Sequence, residues 1–159
     1  QDPVIFSDTI FNNITLWDKK TTENIQKFYN VCQMTNLSEL IDSLLKREDT
    51  QAGDLGITLS GGQKQRICIA RELYREVELL VFDEATSSLD AITEQIIQEN
   101  INSIKGKMTI IIIAHRLSTI KYADTIFLLE NGQIIDSGTY AQLMTSSDIF
   151  QKMATLQSE

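Results

Sequence analysis

Proline, cysteine, histidine and long apolar runs are all scarce in this sequence of 159 residues. The two cysteines, Cys32 and Cys68, form no CxxC pair, and one histidine accompanies them. That set is too small for a metal centre built from His and Cys ligands. It is also too small for a disulfide framework, so a reducing compartment is expected. No stretch reaches the roughly 18 uninterrupted apolar residues of a membrane span. The best run, residues 108–114, has the length of a strand, so direct membrane insertion of this segment is not expected. Anions outnumber cations and the formal net charge is −8. Nucleic acid is a poor partner for such a chain, because neutralising phosphates needs clustered cations. The one basic cluster, Lys64 and Arg66 with Arg71, is explained as a helix face. The first residue is Gln1, not methionine, and no leader follows it, as expected of a segment excised from a longer polypeptide.

What is present suffices for one compact domain, with a hydrophobic fraction of 42%. Residues 1–16 read as an irregular opening with the single proline, Pro3. Residues 22–47 have helical periodicity. Thr22 is a candidate cap for a helix carrying Ile25, Phe28, Tyr29 and Cys32, and Ser38 for one carrying Leu40, Ile41, Leu44 and Leu45. Gly53 and Gly56 punctuate a connector over 48–59. Ser60 caps an expected helix over 61–75, with Ile67, Ala70, Arg71 and Tyr74 on one stripe. The apolar runs 79–82 and 108–114 have the character of strands buried on both faces, with helix 91–104 between them. Asn131-Gly132 is a two-residue hairpin signal between 125–129 and 133–136, and 139–158 closes the chain with one or two helices. Strand, helix and strand at this spacing make a βαβ unit, hence an α/β fold with a parallel sheet flanked by helices. The chain divides into an opening segment over 1–19, a helical part over 20–75 and an α/β part over 76–159.

Four places carry chemistry. In Leu59-Ser60-Gly61-Gly62-Gln63-Lys64-Gln65-Arg66, a serine cap and two glycines open a long helix, where free N–H groups and the positive end of the dipole face outward. The glycines let a phosphate approach the backbone, although a capped helix after a glycine turn gives the same short pattern. In 79–84 a strand ends in Asp83 and Glu84, at the edge where a parallel sheet faces its ligand crevice. Asp83 is placed to hold Mg²⁺ and Glu84 to polarise a water for attack on phosphorus; a solvated acidic turn is the plain alternative. Asp90 follows in Ser87-Ser88-Leu89-Asp90 and also suits the cap of the helix that starts at Ala91. His115 follows the isoleucine strand; a lone histidine at a strand end is more often structural, but at the edge that faces the crevice of Glu84 a neutral imidazole can donate a hydrogen bond to a transferring phosphoryl group.

Taken together these residues resemble the ATP-binding domains of ABC transporters. LSGGQKQR at 59–66 looks like the signature motif, LLVFDE at 79–84 like the Walker B strand with its glutamate, SSLD at 87–90 like the D-loop, and His115 like the switch histidine. QDPVIFSDTI at 1–10 is similar to the Q-loop and places its glutamine at Gln1. Thr50-Gln51-Ala52-Gly53-Asp54 resembles the X-loop of the exporter branch, with Gln51 and Asp54 where glutamates are common. No GxxxxGK[ST] phosphate loop occurs. In the family it precedes the Q-loop, so its loss is expected to reflect truncation.

The resemblance implies a P-loop NTPase-like partial parallel sheet, with an α-helical subdomain inserted before the signature helix. It implies ATP and Mg²⁺ as ligands of the full-length protein, neither expected to bind this segment tightly. Glu84 and His115 would be catalytic, and Asp83 with Gln1 would serve the metal through the nucleotide. Gln1, Ser60, Gly61, Gly62, Gln63 and Asp90 would contact nucleotide. The implied partners are a transmembrane domain of the same transporter and a second ATPase domain in a head-to-tail homodimer. The implied location is the cytoplasmic face of a membrane, the plasma (inner) membrane of a bacterium. For the segment alone two expectations stand: an inactive piece of an exporter ATPase, or an interaction module that keeps only docking to the transmembrane domain.

Overall fold

The computed structural model describes residues 3–54, 56–83, 95, 106, 108–114 and 117–156. The chain divides into two compact units, Gln1–Ile111 and Ile112–Glu159.

The first unit opens with a helix, α1 (Ile10–Thr15), within the stretch 1–16 whose sequence predicts an irregular opening. Thr9 caps it, its Oγ1 accepting from the Asn12 N–H at 3.0 Å. Ile10, Phe11 and Ile14 then fall on one face and are buried. In α2 (Thr22–Met34) the cap is Thr21, not Thr22: its Oγ1 accepts from the Asn24 N–H at 3.2 Å. Phe28, Val31 and Cys32 bury from α2, with the Phe11 and Phe28 rings 5.3 Å apart. Burial pushes the Cys32 thiol well above its ordinary range. In α3 (Ser38–Ser43) Ser38 is the first helical residue, and Leu37 occupies the cap position without a side-chain bond. The helix stops as Leu44 turns extended. Leu45, expected on the apolar stripe, is therefore fully exposed. A 3-10 turn (Arg47–Asp49) follows. The Tyr29 hydroxyl donates to Glu48 at 2.6 Å, and Lys20 bridges to Glu48 and Asp49 at 3.0 and 2.7 Å.

The long helix α4 (Gly61–Tyr74) packs against α1 and α2. All four residues of its expected stripe, Ile67, Ala70, Arg71 and Tyr74, are buried. Burying an aliphatic or aromatic side chain of this size contributes about 1.5–3 kcal/mol, so this face anchors the helix firmly. Strand β1 (Leu79–Asp83) pairs with β2 (Thr109–Ile113). The Thr109 N–H donates to the Glu78 carbonyl at 2.8 Å, so the two strands begin side by side, as parallel strands do. Neither strand is buried on both faces as expected. Leu80 and Phe82 are buried, but Leu79 and Val81 are 51% and 52% exposed, and Ile111 of β2 is 47% exposed. A continuous apolar run does not distinguish cover on two faces from cover on one. The expected helix over 91–104 lies outside the described residues.

The second unit contains α5 (Leu117–Ile120) and the antiparallel pair β3 (Ile126–Glu130) and β4 (Gln133–Gly138). Asn131 and Gly132 join the strands with φ of 50° and 78°. Two left-handed residues in succession make the primed turn whose twist suits a hairpin. Two closing helices follow, α6 (Tyr140–Ser146) and α7 (Asp148–Leu156), the first begun by a reciprocal cap between Thr139 and Gln142. Leu117, Ile126, Leu128, Leu143 and Phe150 form the core of this unit.

Candidate functional site

The Ser60 end of α4 is a built helix terminus. Ser60 is extended (φ −65°, ψ 161°) and its Oγ accepts from the Gln63 N–H at 3.2 Å. The Gln63 side-chain oxygen accepts in turn from the Ser60 N–H at 2.9 Å. This capping box fixes the direction in which the first turn faces. It also commits the Gln63 side-chain oxygen to the chain itself. The Lys64 N–H goes to the Ser60 carbonyl at 3.0 Å, which leaves the amides of Gly61 and Gly62 for an outside acceptor. A Cβ at Gly61 would meet nothing within 4 Å, and its φ is not left-handed. The fold itself therefore does not require glycine at 61. The bare backbone suits a group that comes close from outside, and the positive helix end favours an anion. Further along the turn, Arg66 donates to the Asn36 carbonyl at 2.6 Å and to the Gly62 carbonyl at 3.4 Å. The helix start is thereby tied to the turn between α2 and α3.

Asp83 closes β1 and is exposed. Among the described residues no group of three or more His, Cys, Asp or Glu side chains could hold a metal ion. One carboxylate fits a Mg²⁺ that arrives with a nucleotide and takes its other oxygens from phosphate and water. Ser60, Gly61, Gly62 and Gln63 thus share one helix end, and Asp83 stands on a separate element of the same unit. Gln1, Glu84, Asp90 and His115 lie outside the described residues.

A second constellation was not singled out by sequence. Arg71, on the buried face of α4, donates from Nε to the Asn13 carbonyl at 2.7 Å and from Nη2 to the Val4 carbonyl at 3.1 Å. Its guanidinium lies 4.9 Å from the Phe6 ring centroid. Asn13 is fully buried. Its side chain accepts from the Phe6 N–H at 2.8 Å and donates to the Phe6 and Thr9 carbonyls at 3.0 Å. Beside it, Asp8 accepts from Trp17 Nε1 and from its neighbour's N–H on Thr9, both at 2.7 Å. The X-loop-like residues run along the same segment: Ile10 N–H donates to Thr50 at 3.0 Å and Ala52 N–H to Asp8 at 2.8 Å. The only signals in the sequence were an arginine on an apolar stripe and an asparagine among apolar residues, and neither names its partner.

A glycine-opened, serine-capped helix and an acidic strand end within one unit of helices and paired strands define the class of the fold, an α/β protein. A model of the family described as "ABC transporter" matches residues 2–87, more than half of the chain, and the chain belongs to that family. It is 45% identical over 158 residues to the multidrug resistance-like ATP-binding protein MdlB of Buchnera aphidicola subsp. Acyrthosiphon pisum, covering 99% of this chain and 27% of that protein. It is 44% identical over 144 residues to P-glycoprotein 14 of Caenorhabditis elegans, covering 91% of this chain and 11% of that protein. The solved structure of a bacterial Atm1-family ABC exporter with ATP bound superposes with a TM-score of 0.88 at 36% identity, covering all of this chain and 28% of that one. The chain spans about a quarter or less of the length of these relatives.

Proposed function

We propose that this chain is the signature-bearing part of the ATPase domain of an ABC exporter, which couples ATP hydrolysis to transport across a membrane. The observation that carries the proposal is the Ser60 cap with Gly61 open to solvent. In this reading Ser60, Gly61 and Gly62 present hydroxyl and amide donors to the γ-phosphate of a nucleotide held by a second copy of the domain, and Gln63 holds the cap in place. Asp83 would hold the Mg²⁺ that comes with the nucleotide of its own domain, where the ion would supply charge neutralisation for the phosphates. Glu84 takes the proton of the attacking water, and His115 donates a hydrogen bond to the phosphoryl group. Gln1 reports the γ-phosphate to the residues that follow it, and Asp90 contacts the nucleotide. Closure on ATP and reopening after hydrolysis then shift the transporter between two states. The domain works at the cytoplasmic face, with residues 1–19, 20–75 and 76–159 as its Q-loop, helical and core parts.

The phosphates need an anchor as well as donors, and no GxxxxGK[ST] stands in the sequence. The 159-residue chain alone is therefore expected to give no heat of MgATP binding by titration calorimetry and no phosphate release. Micromolar affinity would overturn this. A second reading, docking to a transmembrane domain without catalysis, is favoured by one observation. Val4 and Trp17 are 61% and 53% exposed in the segment after Gln1. Capture of the separately expressed transmembrane domain by this chain, lost in Trp17→Ala, is its expected result.

A further inference from the structure

We propose that Arg71 is a positioning residue that makes α4 and residues 4–13 one mechanical piece, so that movement of the Ser60 end is carried to the segment after Gln1. The inference rests on the nucleotide reading of the Ser60 end. Arg71 stands roughly three turns beyond Ser60, about 16 Å along a helix of 1.5 Å rise per residue. An α-helix anchored along its length by buried side chains transmits a displacement of one end as a rigid body.

What Arg71 grips is mainly backbone, at one point in the opening segment and one in α1. Its fork spans two separate points, the Val4 carbonyl at 3.1 Å and the Asn13 carbonyl at 2.7 Å, with a further bond to Asn13 Oδ1 at 3.4 Å. Asn13 in turn closes the backbone between Phe6 and Thr9 from inside. The Val4 carbonyl also accepts from the Cys68 thiol, one turn earlier on the same helix. Arg71 is 8% exposed, and among the described residues no carboxylate forms an ion pair with it. Its charge is met by carbonyl dipoles and the Phe6 ring. Burying a cation is costly, and apolar side chains hold helix to helix as well or better. A planar fork does what they do not: it fixes two points of one backbone in register. The contact is thus suited to holding a segment in place, more than to adding cohesion.

Amide hydrogen exchange in the full-length protein, with and without MgATP, tests this in Arg71→Lys, which keeps the charge and loses the fork, and in Asn13→Ala. Without nucleotide, both variants are expected to exchange residues 4–13 about tenfold faster or more, with residues 140–156 unchanged. In the wild type MgATP is expected to slow exchange at both 60–64 and 4–13. In Arg71→Lys the effect at 60–64 persists and that at 4–13 disappears. Unchanged exchange at 4–13 in both nucleotide-free variants overturns the grip. A faster but still MgATP-responsive 4–13 in Arg71→Lys overturns the transmission and leaves a structural contact. If MgATP leaves 60–64 unaffected in the wild type, the nucleotide reading fails and the transmission with it, while the nucleotide-free comparison still decides the grip.

Discussion

Asp8 shows how much one surface residue can organise without being buried. Its carboxylate receives Trp17 Nε1, the Thr9 N–H and the Asn12 side chain at 2.7, 2.7 and 2.9 Å. The Trp17 bond, more than any other, holds its pKa below the ordinary value of 3.8. A depressed carboxyl contributes stability that is present above its unfolded pKa and lost as pH falls through the folded one. The local fold around Trp17 is therefore expected to hold down to pH 3.8 and to loosen below it. Trp17 is the single tryptophan, so its emission reports this alone. A fluorescence titration should show a red shift with a midpoint under 3.8, and Asp8→Asn should remove that step. A midpoint above 3.8, or the same step in the variant, contradicts the assignment. A pair far out in solvent is less consequential. The Lys27–Glu76 pair at 3.0 Å has a carboxylate side chain 76% exposed, and pairs of that kind contribute about 0–1 kcal/mol.

At the scale of elements, two glycines separate the demands of fold from those of function. A Cβ at Gly56 would stand 2.2 Å from the Gln51 carbonyl oxygen, a backbone atom that also accepts the Ile57 N–H at 2.9 Å. Gly56→Ala must displace that backbone and the bonds linking 50–52 to 8–10, and is expected to cost about 3 kcal/mol or more. Gly61→Ala has open space and a helical position, so its melting temperature should match or exceed the wild type. Its ATPase activity in the full-length protein should fall about tenfold or more, because in the proposed site the methyl would occupy the place of the phosphate. Thermal melts of both variants, with phosphate release for the second, check this; a destabilised Gly61→Ala or a stable Gly56→Ala would refute it. The same contrast marks what was legible. Ser60, the 61–75 stripe and the Asn131-Gly132 turn could be read because cap, period and turn chemistry are local. Thr9 carried the same local signal for α1, obscured by the proline and polar residues around it. The pairing of 8–10 with 50–52 and the Arg71 grip were not legible, because backbone bonds between distant segments leave no residue pattern. The open faces of β1 and β2 were misread, since apolarity reports what a strand can cover and not what covers it.

The whole molecule raises a question that neither half of the site answers alone: whether the Ser60 end and Asp83 serve the same nucleotide. They belong to different elements, a helix start and a strand end. The proposed head-to-tail dimer gives Asp83 to the nucleotide of its own domain and Gly61 to that of its partner. A two-fold axis then makes the two composite sites equivalent. Let one full-length copy carry Asp83→Asn and the other Gly61→Val. Each homodimer has both sites damaged. A mixed dimer has one site with both lesions and one with none. Co-expressed and isolated through two different tags, the mixed dimers are expected to recover roughly half of the wild-type ATPase rate, one of two symmetric sites. If Gly61 and Asp83 instead face the same nucleotide within one copy, each site of the mixed dimer keeps one lesion and the rate stays at the level of the homodimers. Recovery therefore places the nucleotide between two copies of this chain, and its absence places it within one.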